Sequence, residues 1–131
     1  MPDYVPFEVL IVEDEPMVRM VAVDAIAAAG MTTREAGDAV EALQLLNENR
    51  GIGLLFTDIN LPGEMCGLAL SHQIHGQRDD MEFILTSGAQ SVGESDLRNY
   101  GTFLPKPYTT ERLMELVHRK CGFWRGRTGN S

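Results

Sequence analysis

Short apolar runs that stop at acids or hydroxyls, separated by stretches of helical periodicity, constrain this chain more than any other feature. FEVLIV (7–12) is almost continuously apolar and runs into Glu13 and Asp14. IGLLFT (52–57) runs into Asp58, and EFILTS (82–87) ends in Thr86 and Ser87 before Gly88. Runs of this length without polar alternation are the pattern of strands buried on both faces. Met31 to Ala36 and Thr102 to Leu104 are weaker candidates that bring the strands to five.

The stretches between them read as helices. Pro16 suits a first helical turn, where its missing N–H costs nothing. Val18, Val21, Ala22, Ala25, Ile26 and Ala29 follow at helical spacing as one inward stripe, and Gly30 is a natural stop. Asp38 and Glu41 have capping-box spacing ahead of Ala39, Ala42, Leu43 and Leu46. Leu61-Pro62-Gly63 marks a loop. A third helix over about Gly67 to His75 turns Leu70 and Ile74 inward, and Ser95 to Tyr100 gives a short polar fourth. Thr109 or Thr110 caps a fifth, with Leu113, Leu116 and Val117 inward.

Strands and helices that alternate strictly build a parallel sheet covered on both faces. The expected fold is α/β, a flavodoxin-like (βα)5 doubly wound domain with strand order 2-1-3-4-5. The chain has 131 residues, enough for one domain, assigned to residues 1–121. Residues 122–131, rich in Gly and polar side chains, are expected to be a flexible tail. Phe123 and Trp124 in that tail either fold back or dock to a partner. Met1 and the tail favour a whole protein.

Charge and composition exclude several classes. A net charge of −8 disfavours nucleic acid, whose phosphates the body would repel. No apolar run reaches the ~20 residues of a membrane span, and the N-terminus has no signal-peptide pattern. Cys66 and Cys121 lack metal-ligand spacing and read as reduced thiols of a cytoplasmic protein. His72 and His75 could share a helix face, but further ligands for a metal are missing.

In doubly wound sheets, ligands sit at the carboxyl ends of the strands. That rule gathers Glu13, Asp14, Asp58, Ser87 and Lys106 on one rim. Alone, each has an ordinary reading as a cap, a solvated loop acid or a surface lysine. Together they are three carboxylates, a hydroxyl and an ammonium. Carboxylates ~4 Å apart repel by about 4 kcal/mol per pair at an effective dielectric near 20. A hard cation such as Mg²⁺ offsets this, and Mg²⁺ favours a few carboxylates plus phosphate oxygens. The set can therefore hold a phosphoryl group, with a carboxylate as its acceptor.

VLIVEDEP, LLFTDINLPG, FILTSG and FLPKPY, in this order and spacing, resemble the receiver domains of two-component response regulators. The likeness covers residue 7 to about 121. It implies that Asp58 accepts a phosphoryl group from a histidine kinase or histidine phosphotransfer protein. It implies Mg²⁺ on Asp14 and Asp58, with Glu13 in support and the Asn60 backbone carbonyl as a further ligand. Ser87 becomes the switch hydroxyl, Lys106 the phosphate-binding lysine, and Phe103 the aromatic that moves with Ser87. The Lys106-Pro107 bond is expected to be cis. The implied output is a change on the face of the fourth helix, fifth strand and fifth helix, read by a protein partner. A weak homodimer on phosphorylation is compatible with it. The implied type is a single-domain signalling protein that catalyses only its own phosphorylation and dephosphorylation; the alternative is a degenerate receiver that only docks.

The sequence departs from the family in places. NLPGEMCG after Asp58 is one residue longer than usual, with Cys66 where an acid often stands, and the stretch from Ser87 to Lys106 is short. Two other chemistries fit worse. A haloacid dehalogenase-type phosphatase needs an acid two residues after its nucleophile, and Asn60 stands there. A flavodoxin needs a hydroxyl-rich loop where this chain has Glu13, Asp14 and Glu15.

Overall fold

The computed structural model describes residues 8–78, 80–88 and 100–128; in 122–128 only the backbone is described. The expected helix at Ser95 to Tyr100, apart from Tyr100 itself, lies outside the described residues. So do Phe7 and the side chains of Phe123 and Trp124.

Five strands, β1 (Glu8–Val12), β2 (Thr32–Ala36), β3 (Ile52–Asp58), β4 (Glu82–Ser87) and β5 (Gly101–Pro105), form one parallel sheet in the order 2-1-3-4-5. Four helices are described: α1 (Pro16–Ala28), α2 (Ala39–Glu48), α3 (Gly67–Gln77) and α4 (Thr110–Thr128). This is the flavodoxin-like architecture expected from the alternation. All seven residues of β3 are buried, which is why that central strand reads as an unbroken apolar run. β2 lies at an edge and buries only Ala36 completely, so its composition stays polar.

The strands divide the core in two. Leu10, Val12, Leu55, Phe83 and Leu85 point to one face and pack with Ala42 and Leu46 of α2 and Leu70 and Ile74 of α3. Val9, Ile11, Leu54, Phe56, Ile84 and Leu104 point to the other and pack with Ala22 and Ile26 of α1 and Leu113, Leu116 and Val117 of α4. Each Val, Leu, Ile or Phe among them contributes about 1.5–3 kcal/mol when fully buried.

Local signals set the helix ends. Asp38 Oδ1 accepts the Glu41 N–H at 2.9 Å, and Glu41 Oε1 accepts the Gly37 N–H at 2.8 Å, one residue earlier than in the usual box. Thr109 caps α4, its Oγ1 accepting the Arg112 N–H at 3.0 Å. Gly30 ends the α1 segment at φ 90°, a conformation only glycine adopts without strain.

Two expectations need correction. The inward stripe of α1 is narrower than its apolar residues suggest: Val21 is 50% exposed and Ala29 is exposed. The buried contact is made by Ala22 and Ile26, with Val18, Val23 and Ala25 half-buried at its margins and Val21 and Ala29 outside it. The backbone of α4 is helical through Thr128, beyond Gly122 where the sequence reading ends it. Glycine disfavours a helix interior by only about 1 kcal/mol, which does not stop a helix already begun.

Candidate functional site: an acid and lysine cluster at the carboxyl edge

The carboxyl ends of β1 and β3 bring Glu13, Asp14 and Asp58 together, with one oxygen of each within 4.8 Å of the others. Glu13 and Asp58 are buried, at 5% and 6% exposure, while Asp14 faces solvent. Lys106, just past β5, reaches across the sheet and donates to Glu13 Oε1 at 2.9 Å and Asp58 Oδ2 at 2.6 Å.

Backbone contacts fix the frame. The Asn60 N–H donates to Asp58 Oδ1 at 2.8 Å, and the Ile59 N–H donates to the Thr86 carbonyl at 2.9 Å. The Gly67 N–H donates to the Ile59 carbonyl at 2.8 Å, which seats the start of α3 against the end of β3. A Cβ on Gly67 would stand 2.0 Å from the Asp58 carbonyl oxygen, so only glycine fits. Within the extended loop, Gly63 takes φ 93°. The Lys106 N–H donates to the Ser87 carbonyl at 3.0 Å, and the Lys106-Pro107 bond is cis, as expected.

Burial pushes the Glu13 carboxyl up, and the neighbouring Asp58 charge adds to this; hydrogen bonds from Lys106 and the Glu15 N–H offset it only in part. Burial alone would lower the Lys106 ammonium, but its bonds to Asp58 and Glu13 outweigh that and hold it above the usual lysine range. Tyr108, whose ring meets Phe56 edge-on at 5.9 Å, is raised by burial. The two buried carboxylates repel by at least about 3 kcal/mol at an effective dielectric near 20. Three acids facing one ammonium leave an excess of negative charge. All the donors are hard oxygens, so the set fits Mg²⁺ better than a soft metal.

Ser87 is buried, and its Oγ accepts from Asn60 Nδ2 at 3.2 Å. Phe103 pairs with Leu85 in register and packs half-buried on the α2 and α3 side, opposite Lys106. The dismissed histidine pair has a structural explanation: His75 stacks on Tyr100 at 4.0 Å between ring centres, and His72 Nδ1 hydrogen-bonds the Tyr100 hydroxyl. Two contributors escaped the sequence reading. Arg19 donates through Nη1 to the Glu13 carbonyl at 2.7 Å and through Nε to Glu35 at 3.1 Å, tying the β1 loop to β2. Its place one helical turn after Glu15 was the available signal. Gly67 was read only as a helix start.

A 2-1-3-4-5 parallel sheet with acids and a lysine at its carboxyl edge is the CheY-like class of receiver fold. The chain belongs to the response regulator receiver domain family, whose family model matches residues 9–118. It is 37% identical over 114 residues to the sensor kinase CckA of Brucella abortus (strain 2308), covering 83% of this chain and 12% of that protein. To the DNA-binding transcriptional regulator NtrC of Escherichia coli (strain K12) it is 35% identical over 115 residues, covering 85% of this chain and 24% of that protein. The chain thus spans a minor part of these curated relatives. Among solved structures, the receiver domain of the hybrid histidine kinase CckA is 34% identical, with a TM-score of 0.74, covering 86% of this chain and 97% of that one. A CheY-like receiver domain protein from Methanospirillum hungatei JF-1 is 26% identical, with a TM-score of 0.82, covering 93% and 98%. The family is a signalling phosphoacceptor domain. No helix among the described residues is long and apolar enough to cross a membrane.

Proposed function

We propose that Asp58 is the phosphoacceptor of an Mg²⁺-dependent switch. The observation that carries this is the bridging of Asp58 and Glu13 by Lys106 beside Asp14, which puts two buried carboxylates on one ammonium. Glu13, Asp14, Asp58 and the Asn60 carbonyl would hold Mg²⁺. When bound, the ion neutralises phosphoryl oxygens as charge moves between donor and acceptor.

An Asp58 carboxylate oxygen attacks the phosphorus of a phosphohistidine. The new P–O bond forms as the P–N bond breaks, and the ring nitrogen keeps the electron pair. Lys106 shifts its ammonium from the carboxylate toward the phosphoryl oxygens. The Ser87 hydroxyl leaves the Asn60 amide and donates to one of those oxygens. Phe103 moves into the vacated space. The acyl phosphate carries about two negative charges where the carboxylate carried one, enough to bias such a two-state element. The changed surface is then read by a protein partner, and hydrolysis of the phospho-Asp58 bond resets the domain.

A donor has to approach over the rim beside Lys106. A groove of about 540 Å³ lies there, lined by Val18, Val21, Gly88, Lys106, Pro107 and Tyr108. Met17 and Met20 of α1 are 74% and 51% exposed next to it. An apolar rim around a charged centre suits the phosphohistidine-bearing helix of a histidine kinase or phosphotransfer protein. Such donors act in the cytoplasm, where the free thiols of Cys66 and Cys121 are at home.

Incubation with Mg²⁺ and acetyl phosphate, followed by intact mass, tests the reading. Wild type should gain one phosphoryl group and Asp58→Ala none. A gain that survives Asp58→Ala would refute the assignment, and no gain in wild type that binds Mg²⁺ would leave a docking module.

A further inference from the structure

We propose that Thr86 supplies a second hydroxyl to the site, as the acceptor that positions the Lys106 ammonium once Asp58 is phosphorylated. The inference rests on the phosphoacceptor reading above and concerns a residue that this reading does not use.

Thr86 is 2% exposed, and its Oγ1 is buried with no hydrogen-bond partner among the described residues. Its place is specific. Thr86 is the register partner of Asp58 on β3 and of Leu104 on β5. Side chains alternate along a strand, so Thr86 points to the same face as Asp58 and, two residues past Leu104, Lys106. β4 lies between β3 and β5. Lys106 starts beside Gly88, two residues past Thr86 on β4, and reaches back across that strand, on the face Thr86 occupies, to Asp58 and Glu13. Its neighbours Leu104, in the same row, and Phe56 and Ile84, two residues earlier on the same face, are apolar. Valine has the shape of threonine and would fill the position without a polar atom.

A buried hydroxyl without a partner is unfavourable. Its retention makes sense if another state satisfies it. The ammonium has three N–H donors, and in this state two are used, by Glu13 and Asp58. Phosphorylation converts the Asp58 carboxylate into an acyl phosphate and takes away half of that arrangement. Lys106 must then turn toward phosphoryl oxygens, and a hydroxyl beneath its path gives the freed N–H an acceptor. Thr86 is a positioning residue on this account, and the group that touches the phosphoryl remains Lys106.

The account demands opposite signs in the two states. Thr86→Val should raise the melting temperature of the unphosphorylated protein, because it removes an unsatisfied polar atom. It should weaken binding of beryllofluoride, a non-covalent phosphoryl mimic, in the presence of Mg²⁺ by about tenfold, the size expected of one hydrogen bond to a charge. Thr86→Ser should restore most of the affinity. Titration of the full chain followed by NMR, with thermal unfolding of the same samples, reads both quantities. Equal beryllofluoride affinity in wild type and Thr86→Val would overturn the assignment and leave the phosphoacceptor reading intact. A lower melting temperature for Thr86→Val would also overturn it, since the hydroxyl would then be satisfied at rest. Wild type that fails to bind beryllofluoride with Mg²⁺ would bring down both.

Discussion

The two ends of the sheet treat charge in opposite ways. At the amino edge, described charges are held in ion pairs: Glu8 with Arg34 at 3.2 Å, Glu82 with Lys120 at 3.5 Å, and Asp80 with Arg78 at 3.3 Å. At the carboxyl edge, the cluster of Glu13, Asp14 and Asp58 has one ion-pair partner among the described side chains, Lys106, since Arg19 nearby is paired with Glu35. Matched pairs hold a structure in one state and ask for nothing further. An unmatched, half-buried cluster is less stable than it could be and waits for a cation or a phosphoryl group to change its balance. The contrast separates charges held in ion pairs from charges that the proposed switch would use, and β1 carries one of each kind at its two ends.

The most damaging way to break this contrast is at the seat of Asp58, the proposed acceptor. Gly67→Ala puts a methyl group 2.0 Å from the Asp58 carbonyl oxygen, and neither backbone can yield without loss of the α3 contact. The expected cost is about 3 kcal/mol, the upper end for overpacking. The phosphorylated fraction at fixed acetyl phosphate should fall with it. Chemical denaturation and intact mass on the same sample measure both. A normal stability would show that α3 shifts freely.

Lys120→Met probes the other edge. It removes an ion pair from Glu82, whose side chain is 8% exposed, but Lys120 itself keeps 16% exposure. The expected destabilisation is about 1–2 kcal/mol, short of the 3–5 typical of a fully buried pair. Phosphorylation by acetyl phosphate should not change. A drop in phosphorylated fraction beyond that explained by unfolded protein would show that the amino edge also takes part in switching.

How much of this contrast is legible in the sequence depends on distance along the chain. β3 and β4 announce themselves because burial on both faces removes every polar residue until the strand ends, so Asp58 and Ser87 stand out. The topology rule then carries Lys106 to the same rim from 48 residues away. Arg19 and Gly67 do not stand out, because their importance lies in what they touch: a carbonyl in one case and an absent side chain in the other. No periodicity encodes such contacts. The outward turn of Val21 was hidden for a related reason. Apolar periodicity shows that a helix has an apolar side, whereas the width of the buried strip depends on which neighbours the rest of the fold sets against it.

The finest test alters the charge balance of the rim by one carboxylate while keeping its shape. Burial, reinforced by Asp58, holds the Glu13 carboxyl above its ordinary value of 4.5. The native state therefore binds this proton more tightly than the unfolded chain does. By linkage, the contribution of Glu13 to stability is most favourable at low pH and is lost as pH rises from 4.5 through its raised folded value. Glu13→Gln removes that titration. In metal-free buffer the variant should lose less stability than wild type across this window, by less than the cost of Lys120→Met. Saturating Mg²⁺ should reverse the wild-type trend, because the ion binds the ionised carboxylates of the native state and drives the folded value below the unfolded one. Glu13→Gln should blunt the reversal, leaving Asp14 and Asp58 to hold the ion. Thermal unfolding against pH, with and without Mg²⁺, reads all four curves. Parallel curves for wild type and variant in metal-free buffer would mean that Lys106 already balances Glu13 in full. The excess charge of the carboxyl edge would then reside on Asp14 and Asp58.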